Sequence, residues 1–148
     1  MSMAERPIPK IQFEGEFFYE TKIPIRFFDF NAGRHLSNDA ALRFVTEVHQ
    51  LFLTEKNLAL DNISGTSLAF AGVSINFLKE ILLKNYNENT YIIAKLGLYQ
   101  VSKTRLCFYQ EHINQAGEIC HKMLVDVVYF DNTTGKVSKT DDVVKIYQ

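Results

Sequence analysis

The sequence predicts an α+β fold, one long helix against an antiparallel sheet of about five strands. Three observations carry the prediction. An early segment alternates apolar and polar residues with period two, as a half-buried strand does. One later segment repeats its apolar residues at spacings of three and four, as an amphipathic helix does. Everything after it alternates again, broken by short turn-forming loops, as in strands that follow one another hairpin by hairpin.

The elements follow in order. Residues 1–12 carry Pro7 and Pro9 without periodicity and are expected to form a flexible arm, leaving 13–148 as a single domain. From Tyr19, residues Thr21, Ile23, Ile25 and Phe27 share one face, with Glu20, Lys22 and Arg26 on the other. Pro24 has no amide to donate, so this strand belongs at a sheet edge or carries a bulge. Ser37, Asn38 or Asp39 can each cap the helix that starts beside them. Ala41, Leu42, Val45, Val48 and Phe52, widened by Phe44 and Leu51, form its apolar face from about Asp39 to Lys56. Four strands are then expected in hairpin-like succession: one around Val73–Phe77, then about Thr90–Val101, Arg105–Ile113 and Ile119–Phe130. Asn114–Glu118 and Asp131–Gly135 are the glycine-bearing turns of the last two.

Composition narrows the function. The chain has 148 residues, 47% of them hydrophobic, with 16 basic against 17 acidic side chains and a net charge of −1. That size suits one core. The charge balance gives no footprint for nucleic acid. No stretch approaches a membrane span, and the first residues lack the apolar core of a secretion signal. Cys107 and Cys120 lie in apolar-patterned runs and read as two reduced thiols of a cytoplasmic protein. A single helix covers one sheet face only in part, and long strands leave free edges, so a homo-oligomer, dimer or tetramer, is expected.

Acids, amides, a glycine and a histidine crowd together only between the first strand and the helix, at Asp29, Asn31, Gly33, Arg34, His35, Ser37, Asn38 and Asp39. By itself this is a polar loop that turns a strand into a capped helix. His49 falls near the apolar side of the helix and reads as a hydrogen-bonded core or seam residue. His112 and His121 sit on paired strands near a turn and could face one another across a metal. No cysteine or acid completes a ligand set, so neither a metal nor a cofactor is expected.

The run Arg26-Phe-Phe-Asp-Phe-Asn-Ala-Gly-Arg-His-Leu-Ser-Asn-Asp-Ala-Ala41, with the helix Leu42–Leu53 behind it, resembles the hotdog-fold acyl-CoA thioesterases, and within them the 4-hydroxybenzoyl-CoA thioesterase-like group. Val73–Lys79, Val101–Phe108 and the two later turns extend the likeness over roughly Phe17 to Gly135. The resemblance implies a helix wrapped by a curled antiparallel sheet, two protomers joined through their sheets, and an acyl-CoA held at the seam. It implies hydrolysis of a thioester to free acid and thiol, with the carbonyl polarised by amides at the helix start.

Three positions depart from the pattern: the glycine before the family's histidine is Arg34 here, the first asparagine of its Asn-Asn pair is Ser37, and the third departure bears on the chemistry. The family's catalytic aspartate falls on Asn31, and an amide is neither a carboxylate nucleophile nor a base near neutral pH. The expected roles are therefore Asn31 for placing water or carbonyl, Asp29 or Glu47 as base, and His35 with Asn38 for shaping the loop and the helix start. Gly33 and Arg34 are expected beside the substrate. Lys79, Lys103 and Arg105 are expected near the CoA phosphates. Asp29-Phe-Asn31 followed by His35 is also similar to the signature of hotdog enoyl-CoA hydratases. A further alternative is a non-catalytic dimer that binds acyl-CoA.

Overall fold

The helix forms where its cap and its apolar spacing put it. In the computed structural model, which describes residues 9–148, helix α1 spans Asn38–Glu55, within one residue of expectation at each end. Ser37 is the cap that is used: its hydroxyl accepts the Ala40 N–H at 3.1 Å. Ala40, Ala41, Phe44, Val45, Val48, Phe52 and Leu53 turn inward. Leu42 and Leu51, expected on the same face, are exposed instead.

The sheet has five strands: β1 (Phe17–Pro24), β2 (Thr66–Phe77), β3 (Tyr91–Val101), β4 (Arg105–Ile113) and β5 (Ile119–Asp131). Their order is β1-β3-β4-β5-β2, every pair antiparallel. Pro24 sits on an edge strand, as its missing donor requires. Hairpin succession holds for β3, β4 and β5 but not for β2. Residues 78–90 do not turn back in a hairpin; they cross the end of the sheet, so β2 pairs with β5 and β3 pairs with β1. β2 also begins earlier than its alternation suggests, because a register shift between Phe70 and Gly72 breaks the period-two pattern.

Ile23, Ile92, Ala94, Leu96, Leu106, Phe108, Met123, Val125 and Val127 meet α1 in one continuous core. A short helix at Val143–Tyr147 closes the end of that core, burying Val143 and Tyr147. On the outer face, residues 9–16 lie against the sheet. Ile11 is buried with its N–H on Asn76 Oδ1 at 2.7 Å, and the Phe13 ring stacks on Tyr109. Gly97 leaves room for that ring, since a Cβ there would stand 2.5 Å from Phe13 Cζ. The rest of the expected arm, residues 1–8, lies outside the described residues.

The two sheet edges differ. β1 is short and carries Glu20, Lys22 and Pro24. β2 is longer; its start is covered by the Leu60 carbonyl, which accepts the Leu68 N–H at 2.8 Å, but toward its end Val73 and Phe77 remain 38% and 52% exposed.

Candidate active site at the helix start

Between β1 and α1 the chain makes a tight hairpin around Asn31, with Phe30 bridged to Leu36. The Asn31 N–H donates to the His35 carbonyl at 2.9 Å, and the Asn31 carbonyl accepts the Arg34 N–H at 2.9 Å. Its side-chain Oδ1 accepts the His35 N–H at 3.2 Å. That leaves the Asn31 Nδ2 amide with no hydrogen bond among the described residues. Arg34 turns the corner in the left-handed region at φ 63°. This is where the family pattern has glycine, and a side chain there costs about 1 kcal/mol. The crossover straps the hairpin down: Leu36 N–H donates to the Ile81 carbonyl at 2.8 Å and Leu83 N–H to the Arg34 carbonyl at 2.9 Å.

Asp29 anchors the loop from below. It is 1% exposed; Oδ1 accepts from Arg43 of α1 at 2.7 Å and Oδ2 from the Arg26 N–H at 2.7 Å. Both carboxylate oxygens are taken, and its carbonyl accepts the Ser37 N–H at 2.8 Å. Asp29 thus ties strand, loop and helix together. It does not line the cleft described next.

That cleft, of about 380 Å³, is bounded by Asn31, His35 and Asn38 on the loop and helix start, Phe77 and Leu78 at the end of β2, Lys79–Ile81 of the crossover, and His121 of β5. The Asn38 and Asp39 backbone N–H groups, first in α1, make no hydrogen bond among the described residues, so the positive end of the helix is open here. His35 Nδ1 stands 3.2 Å from Glu80 Oε2, without hydrogen-bond alignment. A second cleft, of about 460 Å³, adjoins this one across Lys79–Ile81 and is walled by Tyr91, Asn114 and Gln115.

His121, like Glu80, lines the cleft without having been singled out by the sequence as part of this site. Its Nδ1 meets His112 Nδ1 at 3.0 Å, within hydrogen-bond distance. The chain continues inward. His112 Nε2 contacts Gln110 Oε1 at 2.7 Å, and Gln110 Nε2 donates to the Val45 carbonyl of α1 at 3.5 Å. Each link dictates the next. The Val45 carbonyl can only accept, so the Gln110 amide points to it and Oε1 faces His112. Oε1 can only accept, so His112 carries its proton on Nε2 and offers a lone pair at Nδ1. His121 therefore carries its proton on Nδ1, leaving Nε2 bare. Burial, with the neighbouring His121 adding to it, pushes His112 well below the ordinary histidine range; burial alone pushes His121 down to about 4.

The remaining expected residues lie elsewhere. Gly33 and Arg34 are exposed at the hairpin tip and do not line the cleft. Glu47 is half-buried, nine residues along α1 from Asn38, or about 13 Å. Lys79 reaches the cleft but is paired with Glu118, and its ammonium holds that carboxyl below the usual range. Lys103 and Arg105 lie at the opposite end of the sheet from His121. Arg105 is paired across to Val128 and bridged to Asp126 at 2.6 Å. Seven strand residues separate the two ends along β5, about 23 Å. His49 lies in the core, 2.8 Å from the Tyr147 hydroxyl.

Comparison with known proteins locates this architecture. Neither a protein-family model nor a curated protein matches the sequence. Solved structures do match. A DHNA-CoA thioesterase from Staphylococcus aureus is 14% identical, with 86% of this chain and 87% of that one aligned at a TM-score of 0.71. A 1,4-dihydroxy-2-naphthoyl-CoA thioesterase from Synechocystis is 15% identical over 86% of this chain and 92% of its own, TM-score 0.71. A Staphylococcus aureus protein in complex with CoA is 12% identical over 93% of this chain and 88% of its own, TM-score 0.71. One long helix, five antiparallel strands in this order and these likenesses together make the chain a hotdog-fold protein.

Proposed function

We propose that the chain hydrolyses an acyl-CoA or acyl-carrier thioester to free acid and thiol, in the cleft at the start of α1. The observation that carries the reading is the meeting of the start of α1, at Asn38, with Asn31 and His121 around one cavity. A carbonyl placed on the Asn38 and Asp39 N–H groups is polarised by them and by the helix dipole, and the same donors stabilise the oxyanion that follows. The Asn31 Nδ2 amide is free to hold water or carbonyl beside it. A thiolate is a good leaving group, so no strong acid is needed. Those neighbours that are CoA-ester thioesterases, and the one holding CoA, support the substrate class.

The cleft sits beside the open edge of β2, with Phe77 and Leu78 in its wall. A second copy paired along that edge would satisfy the free strand, cover Val73 and Phe77, and roof the cleft. The working unit is thus a homodimer or a larger assembly of such pairs, with the thioester at the seam. The two free cysteines fit a cytoplasmic setting. The hydratase alternative needs Asp29 and His35 on one water, and both Asp29 oxygens face Arg43 and Arg26 instead.

Thiol release measured over short, long and aromatic acyl-CoAs tests the reading. Hydrolysis of at least one class is expected, with Asn31→Ala lowering it roughly 10–100-fold and Asn31→Asp giving no gain over the native chain. Acyl-CoA binding without any thiol release would replace this reading by the non-catalytic one. Loss of enoyl-CoA absorbance without thiol would replace it by the hydratase.

A further inference from the structure

Asn31 cannot take a proton, Asp29 is spent on two arginine donors, and Glu47 is remote from the helix start. Hydrolysis in this cleft still needs a group that accepts a proton from water. Among the described residues that line it, His121 is a base held in one tautomer by a buried chain of hydrogen bonds, with its other nitrogen unpaired. The residue as a whole is 4% exposed, but this nitrogen is not among the fully buried unpaired atoms, so a water can reach it from the cleft. We propose that His121 Nε2 is the general base of this site, and that Gln110 and His112 are positioning residues that hold its proton on Nδ1. This rests on the thioesterase reading above.

The step balances without any added reactant. A water oxygen bonds to the thioester carbon while its proton passes to His121 Nε2, and the carbonyl π pair moves to the oxygen held by the helix amides. The oxyanion then collapses, the C–S bond breaks, and the departing sulfur takes the proton back from Nε2. Acid and thiol leave, and His121 is neutral again. The imidazolium formed between these events needs no tautomer change, because Nδ1–H already donates to His112 Nδ1. Burial holds His121 down near 4, so the free base predominates throughout the neutral range, as a carboxylate's would. The ionisable groups around it are His112 from β4, and His35, Lys79 and Glu80 on the cleft wall; Phe77 of β2 closes the remaining side with an uncharged ring at 5.4 Å.

The test uses the full chain and two independent readouts. In the wild type at about pH 7, long-range ¹H–¹⁵N correlation of labelled histidine should show His121 protonated on Nδ1 and bare on Nε2. A CoA thioether whose carbonyl is separated from sulfur by a methylene should shift that Nε2 resonance. The His121→Gln variant, its fold checked by circular dichroism, should lose roughly 10²–10⁴-fold in kcat while binding the thioether within about threefold of wild type. His112→Phe should lose less kcat at unchanged KM and scramble the His121 tautomer. Should His121→Gln keep kcat within about threefold, or should the wild type carry its proton on Nε2, the base assignment is overturned while thioester hydrolysis stands. If the wild type binds the thioether yet releases no thiol from any acyl-CoA, hydrolysis and base fall together.

Discussion

Two buried histidine clusters lie on the helix side of this sheet, and they end differently. In one, His49 Nε2 meets the Tyr147 hydroxyl at 2.8 Å, which in turn meets the Tyr129 hydroxyl at 2.8 Å. These links run from protein to protein, and burial pushes His49 down to about 3. In the other, Gln110, His112 and His121 are linked in the same way, and burial lowers both histidines, but the last nitrogen faces a cleft. A depressed pKa therefore reports burial in both places and marks a site in neither. What separates them is an unfilled lone pair beside a cavity.

The largest expected split between the clusters is in activity. Tyr147→Phe should leave kcat within about twofold, against the loss of at least roughly a hundredfold expected for His121→Gln; thiol release from both variants measures it. Next comes acid sensitivity. The folded pKa values of His49 and His121 lie below the usual histidine value, so the unfolded chain binds more protons in the interval between. The stability they contribute is fully present above about pH 6.5 and is lost as pH falls toward 4, by on the order of 6 kcal/mol in all. Urea midpoints at several pH values should trace this, and His49→Gln should flatten much of the slope.

A smaller effect belongs to the loop that joins strand to helix. Asp29→Ala strips Arg43 and the Arg26 N–H of their buried acceptor. It should cost about 1–3 kcal/mol in urea unfolding, because a buried bonded charge is replaced by nothing. The smallest is a gain. Arg34→Gly relieves a left-handed side chain and should raise stability by about 0.5–1 kcal/mol, read as a small upward shift in Tm.

Much of this architecture could be read from local pattern. The helix and its Ser37 cap, the edge position of Pro24 and the β3–β5 hairpins all arise from interactions within a few residues, and such interactions leave periodic traces. Distant pairings leave none. The placement of β2 beside β5 depends on the crossover at 78–90, which local alternation does not encode. Asp29 looked like a free acid because its partner Arg43 stands 14 residues away on another element. His121 joined the site only through register, which sets it opposite both His112 and Phe77. The residues that define the loop were legible; the base that serves it was not.

The most direct test is a crystal structure with the methylene-spaced acyl-CoA thioether bound. The ketone oxygen should lie on the Asn38 and Asp39 amides, with a water between its carbon and His121 Nε2 and a second protomer roofing the cleft along β2. A ligand seated only in the neighbouring cleft beside Tyr91 and Gln115, or a carbonyl turned away from the helix start, would contradict the account.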